Sequence, residues 1–525
     1  MRIYFPGVIK LLLSNRVAED QIKKPQGDHS QRICSRFIAD RVQYAIYSLG
    51  IAVSVSVWFI AVHAPLWLDE TGSFWVIKKG LSQITHRLIL SFPAYFYILW
   101  FSTKIIGTSE IALRVPSILA MLGAVYLLYL AARELFERDV AFIAAIIFCL
   151  HPIVVFESID VRPYAFAVLA TNAAILILLR LRRCSSNWLA ALFGLTAAWI
   201  VWFHYIFGAI LPALVLCFFV VKNGDRKTLW RQFGFALVAF ALAFLPVIPG
   251  LQYMFRTSGT HVFEEAPHLE DLVWTLAPGW LLLIFAMTAL IAAARTRSDQ
   301  QVHLQGWHIL VCVSLALIPI LILYGMSVGT SIHCFVARHR LVAIPGISLC
   351  WALALSPFRS RALRLLFCVA FVAATAYQYY SSPSSGQHGY TWKYALEYAE
   401  KNASSDGAPV LICSDLPESD YAPMPLDSVK DSSFLAPLSY YRLSVPVVSL
   451  PRALNGEAMR VGSQFLQDAA QRHERFLALA FERSYKTLDW LAQNAATTHS
   501  VRKLGVFDGV EVLEFVPRTQ ANASR

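Results

Sequence analysis

Two acidic pairs lie directly beside long apolar stretches of this 525-residue chain, where an uncompensated charge is costly. Asp69 and Glu70 stand between aromatic residues in PLWLDETGSFW, and Glu157 and Asp160 stand with Arg162 in ESIDVRPYAF. A carboxylate held among aromatic residues at a membrane interface tends to have a raised pKa and can act as a general base. We therefore predict that Asp69, Glu70 and Asp160 are catalytic residues.

A purely structural role is the alternative for both pairs. Asp69 could simply begin the helix that follows it, as a capping residue. Asp160 and Arg162 could form a salt bridge that only holds their loop in place.

Four arginines could bind an anion beside these carboxylates. Arg162 lies in the second acidic segment, and Arg114 opens an apolar stretch in GTSEIALRVPS. Arg338 and Arg340 open another in ARHRLVAIP. A guanidinium group matches the geometry of a phosphate, so we predict that Arg338 and Arg340 bind one, and that Arg162 and Arg114 are candidates to contact the same ligand. The alternatives are snorkelling of Arg114 to lipid headgroups and binding of an anionic lipid by Arg338 and Arg340.

His204 is a further candidate, at the polar His204-Tyr205 turn between two apolar stretches. For His204 the alternative is a turn residue whose hydrogen bonds are satisfied. A divalent metal could bind at Asp69 and Asp160, but no spacing of ligands demands one, so we expect no required cofactor. The nine cysteines show no CxxC and no zinc-like spacing.

The elements that position these residues must be membrane helices. Hydrophobic residues make up 57% of the chain, charged residues only 15%, and the mean hydropathy is +0.52, which excludes an ordinary soluble protein. The net charge of +11 is typical of basic loops on one membrane face, and we expect no nucleic-acid partner. Eleven segments are long and apolar enough to be spans. They are approximately residues 42–62, 115–132, 140–156, 163–179, 188–203, 206–221, 232–251, 272–294, 308–332, 341–358 and 365–380.

The distribution of Lys and Arg predicts the orientation of these spans. The segment 93–106 is apolar but short and contains Lys104. If it lies in the membrane plane, the basic N-terminus and five Arg-rich short loops fall on the inner side. Residues 107–113 and the C-terminal region then lie outside.

The chain divides by composition into four parts. Residues 1–41 are a polar cytoplasmic segment, 42–380 the membrane domain, 381–389 a Ser- and Gly-containing linker, and 390–525 a small extracytoplasmic α/β domain. In the last part PVLIC, VPVVSL and FLALAF indicate strands, and VRKLGVFDGVEVLEFV indicates a hairpin with a DG turn. No GxGxxG or P-loop occurs.

These segments, in this order, resemble the GT-C membrane glycosyltransferases of the protein O-mannosyltransferase and lipid A aminoarabinose transferase type. The resemblance is greatest to the bacterial Rgt-like branch, whose first members add galacturonic acid to lipopolysaccharide. The family's Asp-Glu pair is matched by Asp69-Glu70, and its G-x-x-E-x-A-x-R-x-P-S phrase by GTSEIALRVPS. Its S-x-E-A-R-x-Y-A phrase corresponds to SIDVRPYA, which gives Asp160, Arg162 and Tyr164. Its HY turn is matched by His204-Tyr205, so the resemblance adds Tyr164 and Tyr205 to the predicted site. Its R-Y-x-x-x-x-x-P phrase is matched by RHRLVAIP, where Arg338 is favoured.

One phrase departs from the family pattern. The in-plane helix of the family usually begins with His-Pro-Pro-Leu-Tyr or Glu-Lys-Pro-Pro, whereas SFPAY stands here at residues 91–95. The polar residue before the prolines is missing, which places substrate contacts at that point in question.

The resemblance implies an α-helical polytopic GT-C enzyme in the cell inner membrane, with its active site facing outward. Such an enzyme transfers a sugar from a polyprenyl-phosphate donor to a lipid, glycan or protein acceptor. Asp69 is then the base, the arginines bind the donor phosphate, and a base opposite the leaving group inverts the anomeric carbon. Membrane lipids are the other expected partners.

Two other classes use similar residues. A transporter or flippase for a polyprenyl-linked lipid would need the arginines without chemistry, but it often shows paired repeats, which this chain lacks. A surface-polysaccharide polymerase would have a large outer loop between late spans, whereas here the soluble mass is C-terminal. The sequence does not identify the sugar or the acceptor.

Overall fold

The computed structural model describes residues 28–86, 93–221, 225–257, 266–295, 305–358, 360–382, 391–424, 426 and 432–518. Most of the predicted cytoplasmic segment 1–41, residues 91–92 of the departing phrase and most of the linker 381–389 lie outside these ranges. Residues Tyr47–Arg525 form one compact unit. In the preceding unit, Met1–Ile46, the described residues 28–46 are helical.

The apolar stretches form helices, because a helix satisfies its own backbone hydrogen bonds and can therefore cross lipid. The α-helices up to residue 381 are Asp28–Trp58, Leu68–Lys78, Leu81–His86, Pro93–Ile106, Glu110–Leu135, Arg138–Leu150, Pro152–Glu157, Tyr164–Leu181, Asn187–Phe203, Leu211–Val221, Arg226–Phe244, Ile248–Thr257, Leu269–Leu276, Trp280–Arg295, Gly306–Gly329, Ala337–Arg340, Ile344–Leu355 and Arg361–Ser381. Short 3-10 helices at Phe59–Ala61, Tyr205–Ile210, Leu245–Val247 and Leu341–Ala343 extend several of them.

All eleven predicted segments overlap these helices, so the polytopic helical fold is confirmed. Within the described residues, six helices are long and apolar enough to cross a membrane, or seven if Leu269–Leu276 and Trp280–Ala292, which meet at 57°, form one span. The count of eleven spans therefore stays a prediction.

Contacts of Arg114 indicate that the chain between residues 65 and 114 begins and ends on the same side of the membrane. The Arg114 guanidinium donates to the carbonyl oxygens of Val62 and Ala64 at 2.8 and 2.6 Å, so both ends of this stretch lie at the same level. The helix Pro93–Ile106, with 14 residues, lies between them. This arrangement favours the prediction that 93–106 is not a span.

The predicted inner loops also contact one another. Arg364 bonds to the carboxylates of Glu137 and Asp139, each at 2.8 Å, and is itself buried. The Arg182 guanidinium lies 4.0 Å from the centre of the Trp307 ring. These contacts join four loops in two pairs, and all four are predicted to be inner loops, as the orientation from the Lys and Arg distribution requires.

The C-terminal region folds around a five-stranded sheet, which confirms the predicted small α/β fold. Its strands are β1 (Val410–Cys413), β2 (Val447–Leu450), β3 (Phe476–Phe481), β4 (His499–Phe507) and β5 (Val510–Pro517), in the order β2-β1-β3-β5-β4. The first three are parallel and the last two antiparallel to their neighbours. The α-helices Lys393–Ala403, Pro437–Tyr440, Gly456–Arg472 and Tyr485–Ala495 and the 3-10 helices Pro417–Tyr421, Ser433–Leu435 and Glu482–Ser484 accompany the sheet. The domain boundaries stay a prediction.

The predicted DG turn joins β4 to β5. Asp508 and Gly509 both have positive φ, 47° and 85°, which is the conformation that a two-residue hairpin turn requires. The Asp508 carboxylate accepts a hydrogen bond from the Thr391 hydroxyl at 2.7 Å.

The C-terminal region rests on the loops before Leu68 and around Glu110, which are predicted to face outward and are called the first outer loops. The Tyr441 hydroxyl donates to Glu110 at 2.8 Å and accepts from the Leu66 amide at 2.7 Å. Lys393 pairs with the same Glu110 carboxylate at 3.3 Å. The sheet and the loop that carries Asp69 therefore share one face of the protein.

Candidate active site

The helix Leu68–Lys78 carries both residues of the first acidic pair. It begins after Trp67, and the Glu70 carboxylate accepts a hydrogen bond from the Trp67 backbone amide at 3.2 Å. Glu70 thus stabilises the start of the helix, and Asp69 is its second residue. The alternative that Asp69 is the capping residue is wrong, because Trp67 holds that position, and the catalytic role of Asp69 stays a prediction.

Asp69, Arg162 and Arg338 converge although they are far apart in the sequence. One oxygen of the Asp69 carboxylate, Oδ2, lies 3.7 Å from a guanidinium nitrogen of Arg162 and 3.7 Å from one of Arg338. These distances exceed those of a direct hydrogen bond, so the pairing is loose. The three side chains are 22%, 21% and 35% exposed, which leaves them within reach of a ligand.

Glu70 and Arg114 form a second, fully buried pair. The Arg114 Nε and a terminal nitrogen donate to the two Glu70 oxygens at 3.1 and 2.7 Å. The remaining Arg114 donors bond to the carbonyl oxygens of Val62, Ala64 and Pro65. A guanidinium has five N–H donors, and this network uses them all.

This second pair holds the site together. The Val161 amide donates to Glu70 at 3.0 Å, so one carboxylate joins the first outer loop, the helix Glu110–Leu135 and the 157–163 segment. Burial raises the pKa of Glu70, although the Arg114 charge opposes that rise. The geometry favours a positioning role for Glu70 and Arg114, while the predicted catalytic and phosphate-binding roles of these two residues stay untested.

Asp160 lies beneath Trp67. The Trp67 indole donates to the Asp160 carboxylate at 2.9 Å. Burial raises the pKa of Asp160 to about 6, and the nearby Arg162 charge opposes the rise. Burial and the Asp160 charge together raise the pKa of Glu157 well above its usual value. Asp160 therefore titrates close to neutral pH.

Aromatic rings form a wall beside the two arginines. The Tyr164 ring lies 5.8 Å from the Arg162 guanidinium and 5.0 Å from the His204 ring. His204 in turn lies 5.4 Å from the rings of Tyr205 and His339. Burial lowers the pKa of His204, and that of His339 falls to about 3 because of burial and the neighbouring Arg338 charge. These shifts favour the neutral form of both histidines, so the arginines are the main source of positive charge here.

Arg340 faces different groups from Arg338. Its guanidinium donates to the Asp271 carbonyl and the Thr275 hydroxyl, both at 2.8 Å, and lies 5.1 Å from the Phe335 ring. The structure thus brings together Asp69, Asp160, Arg162, Arg338, Tyr164, His204 and Tyr205, whereas Arg340 bonds to the segment that includes residues 271–275. The phosphate-binding role predicted for Arg340 is less favoured by this geometry.

Across the described residues, no group of three or more His, Cys, Asp or Glu side chains is arranged to hold a metal ion. The expectation that no metal is required stays a prediction. The charged groups that this site offers to a substrate are the carboxylates of Asp69 and Asp160 and the guanidinium groups of Arg162 and Arg338. Together they can accept a proton and stabilise a phosphate that gains negative charge.

Solved structures share this architecture. ArnT from Cupriavidus metallidurans in the apo state matches with a TM-score of 0.53 over 89% of this chain and 97% of that one, at 13% sequence identity. The same protein bound to undecaprenyl phosphate matches with a TM-score of 0.52 over the same shares, at 12% identity. The chain has the GT-C fold. The fold that the resemblance implies is thereby confirmed.

A family model agrees with this GT-C assignment. Residues 91–253 match the family described as dolichyl-phosphate-mannose-protein mannosyltransferase. No curated protein sequence matches the chain significantly. The matched range contains Arg114, Asp160, Arg162 and His204, but neither Asp69 nor Arg338.

The sequence analysis does not predict the hydrogen bonds made by Trp67 or by the C-terminal region. Trp67 is one of the aromatic residues beside Asp69 in PLWLDETGSFW, and its indole N–H is a donor that could have been expected to bond to a buried acid. Tyr441 and Lys393 gave no local signal, because their partner Glu110 is about 300 residues away in the chain.

Proposed function

We propose that this protein is an integral-membrane glycosyltransferase. It transfers a sugar from a polyprenyl-phosphate carrier to a lipid, glycan or protein acceptor on the outer face of the cytoplasmic membrane. The observation that supports this most directly is the placement of Asp69 3.7 Å from both Arg162 and Arg338. A base next to two phosphate-matching cations suits departure of a sugar from a phosphate.

In the proposed reaction, an acceptor hydroxyl attacks the anomeric carbon. The bond from that carbon to the phosphate oxygen breaks, and its electron pair leaves with the phosphate. Asp69 takes the hydroxyl proton, and Arg162 and Arg338 stabilise the negative charge that develops on the phosphate. Attack opposite the leaving group inverts the anomeric carbon.

The loose arginine pairing fits this sequence of events. Neither arginine is within hydrogen-bond distance of the Asp69 carboxylate, so a donor phosphate can become their partner instead. Asp69 then loses two compensating charges and becomes a better base. That a structure with the same fold is bound to undecaprenyl phosphate supports a prenyl-phosphate carrier.

Asp69→Asn tests the proposal. Asparagine keeps the size of the side chain but cannot accept the proton, and general-base catalysis is worth roughly 10²- to 10⁴-fold in rate. We expect protein of normal abundance that retains its prenyl-phosphate sugar yet transfers almost none of it. Mass spectrometry of lipids and glycans from a deletion strain complemented with each variant measures both quantities.

Asp489→Asn is the matched control, because Asp489 is an exposed carboxylate on the helix Tyr485–Ala495. It should transfer sugar like the wild type. Transfer by Asp69→Asn within a few-fold of the wild type would remove Asp69 as the base. A deletion strain with unchanged glycans but a misplaced prenyl-linked lipid would instead indicate a transporter.

A further inference from the structure

A cavity of about 310 Å³ lies between the first outer loop and the C-terminal region. Trp67 and Asp160 form part of its wall on the membrane side, and Tyr394 and Asp508 line it from the C-terminal region. Its volume is near the lower end of the roughly 300–1,000 Å³ of small-molecule sites. Asp69, Arg162 and Arg338 are not among its lining residues, so it is separate from the phosphate-matching cations.

The polar groups of this cavity suit hydroxyl groups. His63, exposed on the first outer loop, and Tyr394, 45% exposed, offer an imidazole and a phenol, and neither bonds to another group of the described chain. Asp160 and Asp508 offer carboxylate oxygens that accept hydrogen bonds. An indole, a phenol and carboxylates together can bind the apolar face and the hydroxyl edge of a sugar ring.

The charges of the same cavity disfavour an anion. Among the described residues that line it, the sole Arg or Lys is Arg114, and all five donors of Arg114 are committed to Glu70 and backbone carbonyls. No described lining residue compensates the Asp508 carboxylate, and the cation near Asp160 is Arg162, which lies outside the lining. A phosphate or a uronic acid would therefore meet negative charge without a cation to pair with.

We infer that this cavity is a subsite for a sugar ring that is neutral or carries an amine, and that its lining excludes acidic sugars. The ring belongs either to the donor or to a glycan acceptor. Asp160 connects the subsite to the reaction centre, since it lines the cavity and lies beside Arg162 in the chain. This inference rests on the proposed function and adds a substrate class to it.

Saturation-transfer NMR on the full-length protein in lipid nanodiscs tests the subsite directly. The probes are the methyl glycosides of glucose, galactose, glucosamine and glucuronic acid at pH 7.5. We expect transfer signals from the first three, little from the glucuronide, and loss of all signals in Tyr394→Ala. Glycoside signals that are unchanged in Tyr394→Ala, or absent from the wild type, overturn the inference.

Asp508→Asn tests the charge selection. Asparagine tolerates the positive φ of this turn and still accepts the Thr391 hydrogen bond, so the hairpin is preserved. Removing one unit charge about 4 Å from a ligand changes binding by about fivefold in water, so glucuronide binding should rise about fivefold relative to glucoside. Asp489→Asn is the control for net charge. An unchanged ratio in Asp508→Asn contradicts the charge selection.

The prenyl-phosphate sugar that co-purifies with Tyr394→Ala shows whether the bound ring belongs to the donor or to the acceptor. A donor ring predicts loss of the retained prenyl-phosphate sugar, whereas an acceptor ring predicts normal retention with slow transfer. The proposed function can fail separately. Wild-type protein that binds glycosides but forms no glycosidic bond would contradict the transferase function without contradicting the sugar subsite.

Discussion

Arg338 and Arg340 are two residues apart, yet only Arg338 reaches Asp69. Replacing Arg338 with Lys keeps the charge but removes the two-pronged donor geometry. We expect transfer to fall roughly 10- to 100-fold, because a hydrogen bond to a charged group is worth about 1.5–3 kcal/mol. Arg340→Lys is the matched comparison and should retain most activity in the same product assay. Equal losses in the two variants would contradict the assignment of the phosphate to Arg338.

The raised pKa of Asp160 makes stability depend on pH. Because the folded-state pKa of about 6 exceeds the usual aspartate value of 3.8, the folded protein binds a proton more tightly than the unfolded chain. This contribution to stability is full below pH 4 and is lost as pH rises through about 6. Asp160→Asn does not titrate, so its melting temperature relative to the wild type should rise between pH 5 and pH 7.5. A difference in melting temperature that does not change over this range would contradict the shift.

At the scale of elements, the Glu70–Arg114 pair and the Asp69–Arg162 contact should respond differently to mutation. Removing one partner of a buried ion pair costs about 3–5 kcal/mol, so Arg114→Ala should lower both the melting temperature and the protein yield. Arg162→Ala removes a side chain that is 21% exposed and only loosely paired, so it should abolish transfer with little change in melting. Thermal unfolding in detergent measured beside product formation checks both. Normal melting of Arg114→Ala would show that Arg114 does not hold the loops.

Gly346 controls how closely two helices approach near Arg338. A Cβ atom there would lie 2.3 Å from the Leu315 carbonyl carbon, so the helix Ile344–Leu355 packs directly on the backbone of Gly306–Gly329. Gly346→Ala should destabilise the protein by about 1–3 kcal/mol through overpacking and reduce transfer by shifting the preceding arginine segment. Gly325→Ala, on the helix Gly306–Gly329, has open space around it and should be neutral or stabilising. Similar melting of the two variants would contradict the role of Gly346.

Periodicity and composition were sufficient to locate the helices, because each apolar run is a local property of the chain. They also located the sheet, since FLALAF and the DG hairpin are local signals too. The site was predictable as a set of residues but not as a geometry. No local sequence signal indicates that Glu70 forms an ion pair with Arg114, or that Arg338 and not Arg340 lies near Asp69. Both contacts depend on how helices that are far apart in the sequence pack together.

At the scale of the whole molecule, the contacts place the first outer loops and the C-terminal sheet on one face. Thr108→Cys and Ser404→Cys should therefore react with an impermeant thiol reagent from the same side, in a background with Cys184→Ser. Both side chains are exposed. The native Cys184, exposed in a predicted inner loop, should react in the wild type from the opposite side. Labelling of Thr108→Cys from the side of Cys184 would overturn the orientation.

The Glu70 network has a consequence for how the protein is made. All of its members lie between residues 62 and 161, so the ribosome has supplied every one of them long before Arg338 is translated. The nascent chain can therefore set the position of Asp69 early, while the second cation of the site and the supporting Tyr441 arrive only near the end of synthesis. A chain that terminates before residue 338 contains Asp69, Arg162 and the Glu70 network but lacks the second arginine that the proposed phosphate site needs.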